Sequence, residues 1–462
     1  NKLKVLIIFM NFIKKIILVL LFFLIFSNKL YAADIDDDTT YSSDSSDTQY
    51  IFTVDDKSAV ITNNSTFTRS RKLFILDDAE RTGVSLTIHS GSTLTTTTNS
   101  NTIFTDGGDL TITNSGTIDA DTSKAINVSE SDGVSITNNS GGVISSDGNT
   151  ILGDAGNGAD NTTIQNTGKI FSTESGSESS AIVFANNDTG TTITNNAGGE
   201  IYSKGSTSTI ILGVSSTLTN SGSIKNNKSV DTNVIQLKGN NNTVTLKDGG
   251  IVVGMIKAKS GTTGNTLKIN HGVGSNYYYD TSGTFTLEDL DGNQVVKGSA
   301  GSVGQGGSEV LDELLGTKSL NIRQSFSKYK NAEEDLKDNE SWGEINFSTF
   351  KRKQNNQNLS LGFNSADLTI NLMYPDHGKD FILSLGNGNQ KFTKDHDINR
   401  HSLHTGFFFR DHPILNKFGD ESFILGGVNL KKSEREILTN TTSSGKLSIT
   451  DNFETFDLII GT

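Results

Sequence analysis

Short runs of alternating apolar and polar residues fill the middle of the chain and recur as one phrase. Leu110, Ile112 and Ile118 are separated by threonine, asparagine, serine and glycine, and the same order returns from Val134 and from Thr162. Apolar positions two residues apart indicate half-buried strands. A helical repeat would need a longer amphipathic run. The pattern therefore predicts an all-β region with three short strands in each copy.

A glycine lies at the same point of each copy and recurs every 24 to 30 residues. These glycines are Gly91, Gly116, Gly141, Gly168, Gly198 and Gly222. A drifting period of this size is typical of a solenoid. Since the strands are short and no helix fits between them, we predict a right-handed parallel β-helix with one repeat per coil.

One coil is not expected to fold alone. Ordering about 25 residues costs more backbone entropy than the few aliphatic side chains of one coil return on burial. Stacking places each aliphatic residue between like neighbours and gives each strand a partner above and below. The array should therefore be stable only as a stack.

An asparagine recurs close to the glycine in five copies. These residues are Asn114, Asn138, Asn166, Asn195 and Asn220. Stacked at one position, they can form a structural ladder of side-chain hydrogen bonds. The alternative is that asparagine simply tolerates turn geometry there. Neither interpretation makes them catalytic.

Residues 1–32 have the pattern of a secretory signal peptide. Two lysines precede an apolar run, Ile16–Phe26, and a small-residue cleavage site follows at Ala32 or Ala33. Met10 is the predicted translation start. The alternative is a membrane anchor, but the apolar run is shorter than the ~18 to 20 residues that a span requires.

The solenoid is predicted to occupy residues 33–297. Residues 34–56 are rich in aspartate, serine and threonine, and we expect a loose leader or the cap of the first coil. Aliphatic residues become denser over residues 233–270, which indicates tighter coils. The tyrosines at 277–279 could either cap the open end of the solenoid or form a ligand platform.

Residues 298–340 differ from the solenoid. Gly298–Ser308 reads as a flexible glycine and serine linker. Glu309–Asp338 is the only helix-like part of the mature chain. Its apolar residues at helical spacing are Val310, Leu311, Leu314 and Leu315.

Residues 341–462 form a separate region in which apolar residues alternate with polar or small ones. The alternation begins at Trp342. Leu368, Ile370 and Leu372 alternate with polar or small residues, and "NSAD", Asn364–Asp367, reads as a turn. Strands of roughly nine to eleven residues with one apolar face are typical of an outer-membrane barrel. A soluble antiparallel sandwich has a similar period. We predict part of an antiparallel outer-membrane β-barrel.

Composition narrows the possible partners. The net charge is −13 with a sequence pI of about 5.0, which argues against nucleic acid because phosphate binding needs a basic face. Cysteine is absent, so an exported form would carry no disulfides. The only prolines, Pro375 and Pro413, lie outside the repeats, as expected where most strands are central.

Signal sequence, β-helix, short helix and aromatic-rich meander, in that order, resemble the autotransporters of Gram-negative bacteria. The resemblance implies a passenger carried across the outer membrane by the C-terminal barrel, with residues 233–297 as its folding-promoting end. It also implies a helix in the barrel lumen and a first barrel strand at Trp342. Expected partners are outer-membrane lipid, the barrel-assembly machinery and periplasmic chaperones. The passenger would lie on the cell surface or be released.

The C-terminal region departs from that family in one respect. Family barrels have about twelve strands and end in an aromatic residue, whereas only about seven or eight candidate strands precede Thr462. We therefore expect the sequence to be a truncated piece of a longer chain, since a barrel lacking strands leaves open edges.

Two functions remain open for the passenger. Rows of threonine, serine and asparagine favour an adhesin that binds a glycan, a cell or matrix. A passenger enzyme acting on polysaccharide or protein is the alternative. No arginine lies between Arg81 and Arg323, and the mature chain has only His89 and His271 before the barrel. Clustered catalytic groups are therefore not evident, and we expect neither enzymatic activity nor a cofactor.

A metal site is not expected either. The histidines that cluster in the sequence are His396, His401, His404 and His412. Positions three apart in a strand face opposite sides and cannot share a metal, so these side chains are expected in loops and in the barrel lumen. "DLDGN" from Asp289 lacks the ligand order of a calcium loop and reads as a turn.

Overall fold

The computed structural model describes most of the chain from Ala33 onward. The described residues are 33–42, 49–62, 64–76, 81–129, 131–153, 159–176, 179–184, 187–296, 300–302, 318, 320–329, 331, 340–353, 362–374, 379–392, 396–410 and 421–461. The predicted signal peptide, including Met10 and Ala32, lies outside them. So do His412 and the predicted helical apolar residues from Val310 to Leu315.

The described residues confirm an all-β protein with a parallel β-solenoid, one short helix and a C-terminal antiparallel sheet. They divide into two compact units. The first contains the described residues up to Glu174 together with Ala181–Asp188, and the second contains Ser175–Ser180 and the described residues from Thr189 onward.

The first unit consists of short strands, and successive strands belong in turn to three parallel sheets. They are β1 (Ala33–Ile35), β2 (Thr39–Tyr41), β3 (Tyr50–Phe52), β4 (Ser58–Ile61), β5 (Thr66–Arg69), β6 (Phe74–Leu76), β7 (Val84–Ile88), β8 (Thr93–Thr96), β9 (Ile103–Thr105), β10 (Leu110–Asn114), β11 (Thr117–Ala120), β12 (Ile126–Asn127), β13 (Ser135–Asn138), β14 (Val143–Ser146), β15 (Ile151–Leu152), β16 (Thr163–Asn166), β17 (Lys169–Ser172) and β18 (Ile182–Val183). Each full coil contributes one strand to each sheet, which confirms the three strands predicted per repeat.

Like side chains stack because equivalent strands pair in register. Ile112 in β10 is aligned with Leu86 in β7 and with Ile136 in β13. Ile118 is aligned in the same way with Leu94 and Ile144 in the neighbouring sheet. All of these side chains are buried. The apolar interior therefore exists only between coils, as the repeat pattern requires.

The second unit begins with the same architecture. Its solenoid strands are β19 (Thr192–Asn195), β20 (Glu200–Ser203), β21 (Ile210–Leu212), β22 (Thr217–Asn220), β23 (Ser223–Asn226), β24 (Asn233–Leu237), β25 (Thr243–Lys247), β26 (Ile251–Val253), β27 (Met255–Ala258), β28 (Thr266–Asn270), β30 (Thr281–Ser282) and β31 (Thr286–Asp289). Coils therefore continue through the region of denser aliphatic residues, as predicted.

The same unit contains the C-terminal sheet. Its strands are β29 (Tyr277–Tyr279), β32 (Ala300–Ser302), β33 (Trp342–Arg352), β34 (Phe363–Tyr374), β35 (Lys379–Phe392), β36 (His396–Arg410), β37 (Glu421–Thr439) and β38 (Lys446–Gly461). The long strands pair antiparallel in chain order from β33 to β38. Helix α1, described at residues 318, 320–329 and 331, packs on one face of this sheet through the cluster of Ile322, Phe326 and Tyr329.

The structure corrects two sequence expectations and excludes one of the two alternatives for residues 34–56. Residues 34–56 contain β1, β2 and β3, and are therefore not a loose leader, because Ile35, Tyr50 and Phe52 are buried against later coils. The stretch "NSAD" is not a turn, since it lies inside β34. Part of the predicted flexible linker forms β32 instead. The described part of the chain has six long C-terminal strands, fewer than the seven or eight expected.

Candidate functional site

The recurrent asparagines form a buried hydrogen-bonded column in the first unit. Asn114 Nδ2 donates to Asn138 Oδ1 over 2.9 Å, and Asn138 Nδ2 donates to Asn166 Oδ1 over 2.8 Å. Each side chain is almost fully buried. The same amide of Asn114 also faces the carbonyl oxygens of Gly116 and Val143, at 3.2 and 3.1 Å. The column thus supplies hydrogen-bond donors to buried backbone carbonyl groups at the corner of the coil. Its role is therefore structural.

The second unit repeats this arrangement. Asn195 Nδ2 donates to Asn220 Oδ1 over 2.8 Å, and Asn220 Nδ2 donates to the carbonyl oxygen of Ile251 over 3.1 Å.

The predicted signal cleavage site has one residue in the described part of the chain. Ala33 is the first residue of β1, where it pairs with Tyr50.

At Gly168 and Gly222 glycine follows the asparagine because the backbone of the preceding coil comes very close. A Cβ at Gly168 would overlap the carbonyl oxygen of Gly142, and one at Gly222 would overlap that of Gly199. The φ of these two glycines is not positive, so close approach and not left-handed geometry excludes other residues. Glycine at these two positions is therefore a requirement of coil stacking. At Gly141 and Gly198 the reason is different, because their φ values of 83° and 86° lie in the left-handed region that favours glycine.

One outward face of the solenoid is lined by hydroxyl groups. In the first unit, Thr111 and Thr113 of β10 are aligned with Ser135 and Thr137 of β13. In the second unit the aligned pairs are Thr192 with Thr217 and Thr194 with Thr219. These side chains are exposed or half-buried. Strands are about 4.8 Å apart in a sheet, so this face carries closely spaced rows of donors and acceptors.

The tyrosine run near residue 278 is mostly buried. Tyr277 and Tyr279 stack with ring centroids 5.9 Å apart, and Tyr278 is 48% exposed. His271 Nε2 lies 2.7 Å from the Tyr279 hydroxyl, while the Gly249 N–H donates to His271 Nδ1 over 3.1 Å. Two of the three rings are therefore parts of the core, which leaves only Tyr278 available as a contact platform.

Burial also changes the acidity of these tyrosines. Desolvation raises the pKa of Tyr277 well above its usual range, and its hydrogen bond to Asp289 raises that pKa further. Desolvation alone raises the pKa of Tyr279. Both hydroxyls consequently remain protonated in the folded protein at physiological pH.

The long strands of the C-terminal sheet have an apolar face that points away from α1, called the outer face, and an inner face covered by α1. The inner face carries polar side chains together with an apolar cluster that includes Met373, Phe408 and Leu425. Large apolar side chains project from the outer face, with Ile345 and Phe347 each 70% exposed and Phe456 81% exposed. Between them, Asn346 and Ser348 point to the opposite face, where α1 lies. The exposed apolar face differs from that of a soluble sheet, whose solvated face is polar.

Polar contacts attach α1 to the inner face. Ser325 Oγ accepts hydrogen bonds from Asn346 Nδ2 and Asn371 Nδ2, both over 2.9 Å. An apolar contact lies beside them, where Phe326 stacks on Phe408 with ring centroids 4.8 Å apart. Polar side chains of α1 therefore meet polar side chains of the sheet, and an aromatic ring of α1 packs on an aromatic ring of the sheet.

A buried cluster of ionisable side chains surrounds Lys318, the first described residue of α1. Lys318 Nζ is 3.1 Å from Ser402 Oγ and 2.7 Å from His404 Nδ1, and His404 Nε2 is 3.2 Å from Asp457 Oδ2. Arg400 and Asp367 form an ion pair beside them. The adjoining cavity measures about 10 Å³, near the size that holds one water molecule. Ser402 and Lys318 resemble a nucleophile and a base, but Lys318 Nζ is also hydrogen-bonded to His404.

Of the clustered histidines that the structure describes, His404 alone takes part in this group. His404 and His396 are buried on the inner face, His396 against Ser433, whereas His401 is exposed. His401 and His404 thus lie on opposite faces, as their spacing predicted. The described residues contain no cluster of three or more potential metal ligands. Asp289 accepts N–H bonds from Asp291 and Asn293, which is the predicted turn.

Sequence reasoning missed Lys318 and its partners. Ser402 and His404 are two residues apart, so the strand period alone could have placed both on the inner face. No local signal relates Lys318 to them, because the contact joins segments more than 80 residues apart.

No described helix has both the length and the apolar character to cross a membrane. Comparison with known proteins gives no match to a family model, to a curated protein or to a solved structure.

Proposed function

We propose that this chain is a self-exported cell-surface protein of the autotransporter type. In this proposal the solenoid is the exported passenger, and the C-terminal sheet is part of an outer-membrane barrel that carries it. The observation that supports this most is the pair of faces on that sheet. An exposed apolar outer face suits lipid, and an inner face that holds a helix through both polar and apolar contacts suits a barrel interior.

The alternation supports lipid contact more specifically than hydrophobicity alone would. Leu368, Leu372 and Tyr374 on β34 are exposed, while Thr369 and Asn371 between them are buried. A soluble sandwich would bury the former set and expose the latter. Outer-membrane lipid is therefore the proposed partner of the outer face. Assembly would use the barrel-assembly machinery and periplasmic chaperones.

The exported solenoid is proposed to be an adhesin without enzymatic activity. The rows of threonine and serine on its outer face offer repeated hydrogen-bonding groups to a glycan, a cell or matrix. The site that most resembles catalytic chemistry, Lys318 with Ser402, lies in the C-terminal sheet beside a cavity of about 10 Å³. A passenger enzyme would need a different site, and no observation favours one.

Expression in a Gram-negative host of this chain, together with any coding sequence that follows it in the gene, tests the export proposal. The chain should fractionate with the outer membrane, and protease added to intact cells should remove the solenoid while the strands from β33 to β38 persist. Recovery of the whole chain as a soluble periplasmic protein would contradict the proposal.

The adhesin role has its own test. Cells that display the chain should bind a glycan, cell or matrix panel more strongly than cells displaying none, without altering the ligand. Reproducible turnover of a glycan or peptide by the displayed protein would replace the adhesin with the enzyme.

A further inference from the structure

Three successive coils of the second unit carry the same pair of outward threonines, in β19, β22 and β25. These six residues, called the threonine array below, are Thr192, Thr194, Thr217, Thr219, Thr243 and Thr245. Each pair flanks one buried aliphatic residue, which is Ile193, Leu218 or Val244. Because side chains alternate across a strand, the threonines project away from the solenoid interior.

The array is regular in two directions. Strand β22 pairs in register with β19 and with β25, so Thr217 is flanked by a threonine from each neighbouring coil, and so is Thr219. Neighbouring strands are about 4.8 Å apart, and residues two apart in a strand are separated by about 6.7 Å. The six side chains therefore form a rectangular lattice of three coils by two rows.

The hydroxyl groups of the array have no hydrogen-bond partner within the described part of the chain. Hydroxyl groups inside the same unit behave differently. Ser203 Oγ lies 2.8 Å from Thr209 Oγ1, which donates to the carbonyl oxygen of Lys225 over 2.9 Å. The array thus presents donors and acceptors that the protein itself does not use.

Threonine gives each lattice position a defined shape. Its branched Cβ restricts χ1, and the threonine of the next coil, about 4.8 Å away, limits the remaining rotamers. Each side chain presents one methyl group and one hydroxyl group. Little conformational freedom is therefore left to lose when a ligand binds.

The array lacks the groups that usually hold a sugar or a peptide. Its side chains carry no charge and no aromatic ring. Charged residues border it at one end, where Lys247 pairs with Asp248 over 3.4 Å and Lys268 pairs with Glu288 over 3.3 Å. The ligand that matches such a surface is itself a regular lattice of hydrogen-bonding groups.

Ice is a lattice of this kind. With O–H···O bonds of about 2.75 Å at the tetrahedral angle, second-neighbour oxygen atoms of ice lie about 4.5 Å apart, and the repeat along the perpendicular hexagonal axis is about 7.3 Å. The array repeats at about 4.8 and 6.7 Å. Along three coils the difference adds up to about 0.6 Å, close to the range of about 0.5 Å over which O–H···O lengths vary.

We propose that the threonine array binds ice. The inference goes beyond the proposed adhesin, because it gives this face a ligand other than a glycan, a cell or matrix. It does not require export, since it rests on the coils of the second unit alone. In the first unit Thr111 and Thr113 are aligned with Ser135 and Thr137. Serine lacks the methyl group, so those rows should bind ice less well.

Partition into growing ice tests the inference. The chain, expressed as for the export test and purified in detergent micelles, is frozen slowly from a stirred solution with a reference membrane protein in the same detergent. The chain should be enriched in the ice about fivefold or more over the reference, because several contacts on one rigid surface act together. Exclusion of both proteins to the same degree would overturn the inference.

Thr219→Lys should abolish the enrichment, because a long cationic side chain at the centre of one row keeps the array away from the ice surface. Lysine fits at this position, since Lys268 occupies the equivalent one two coils later. Ser223→Lys is the matched control. It adds the same side chain to the same coil, but at a half-buried position of the neighbouring sheet, and it should be enriched like the wild type.

Circular dichroism of both variants checks that they fold. Loss of enrichment in both folded variants, or in neither, would overturn the ice site. The export proposal fails separately. Enrichment of a wild-type chain that never reaches the cell surface would retain the ice site and reject export, whereas surface display without enrichment would reject the ice site alone.

Discussion

Asn138 donates a side-chain hydrogen bond to Asn166 over 2.8 Å, although the two residues are 28 positions apart in the chain. The same nitrogen also faces the carbonyl oxygens of Gly142 and Lys169 at 3.3 and 3.2 Å. One amide group therefore connects two coils and satisfies their corners. This relationship explains why asparagine and glycine return together in the sequence.

Asn138→Ala should lower the free energy of unfolding by about 3 kcal/mol, because buried acceptors lose their donor. The measurement is denaturant unfolding of the full chain followed by circular dichroism. Asn139→Ala is the control, since that side chain is only half-buried and has one side-chain bond, to Ser115. Equal effects of the two substitutions would contradict a structural role for the column.

Gly168→Ala should also destabilise the solenoid, by about 1 to 3 kcal/mol, because the added methyl group would overlap the Gly142 carbonyl oxygen. Ser140→Ala, at an exposed position of the preceding corner, should have almost no effect. Denaturant midpoints of the two variants compare them directly. A neutral or stabilising Gly168→Ala would show that the coils are spaced more widely than the structure has them.

Ile118→Pro should stop surface display while the C-terminal sheet still reaches the membrane. Ile118 lies in β11, which is hydrogen-bonded to strands on both sides, so proline would remove a ladder bond in a central strand. Ile118→Val should be displayed normally, since it costs only about 1 kcal/mol. Display is measured by antibody labelling of intact cells. Undiminished display of the proline variant would show that export does not depend on stacking of the coils.

The C-terminal end of the solenoid should lose stability in alkali. The folded pKa values of Tyr277 and Tyr279 are raised above the ordinary value of 10.0. Their contribution is therefore complete below that value and is lost as the pH rises through it toward the folded pKa, because the unfolded tyrosines ionise first. Hydrogen exchange of residues 266–289 between neutral pH and about pH 11 should show this loss. Tyr277→Phe should make the pH dependence shallower, and an unchanged profile would contradict the burial of its hydroxyl.

Leu372→Arg on the outer face of β34 should reduce recovery in the outer membrane, since a cation at mid-depth costs about 2 to 4 kcal/mol. Ser444→Arg, at an exposed position between β37 and β38, adds the same charge and should be tolerated. Membrane fractionation of both variants gives the comparison. Equal recovery would mean that the outer face does not contact lipid.

Much of the solenoid could be predicted because its information is local and repeated. The spacing of Leu110, Ile112 and Ile118 predicts the strands. Because Asn114 and Gly116 have counterparts at the same place in later copies, the sequence also indicates which side chains stack. Contacts that occur only once have no such signal. Asn440 reaches Asp280 and Gly254 across 160 and 186 residues, and its own neighbours suggest only a turn.

The incorrect turn at Asn364–Asp367 has a physical explanation. Asparagine, serine and aspartate are common in turns of soluble proteins, but here Ser365 and Asp367 continue the inward-facing set of β34, where Asp367 pairs with Arg400. Where the covered face of a sheet is polar, turn-forming residues become strand residues. The error thus came from taking these residues as turn-forming, although a strand of the predicted barrel also carries polar side chains on its inner face.

Single-cysteine labelling of intact cells tests the central claim most directly, because the chain contains no cysteine of its own. A membrane-impermeant maleimide should label Thr111→Cys on the solenoid face at once, whereas Phe456→Cys on the outer face of the sheet should react only after detergent is added. Labelling of Phe456→Cys on intact cells, or protection of Thr111→Cys until the outer membrane is opened, would contradict a surface passenger attached to a lipid-embedded sheet.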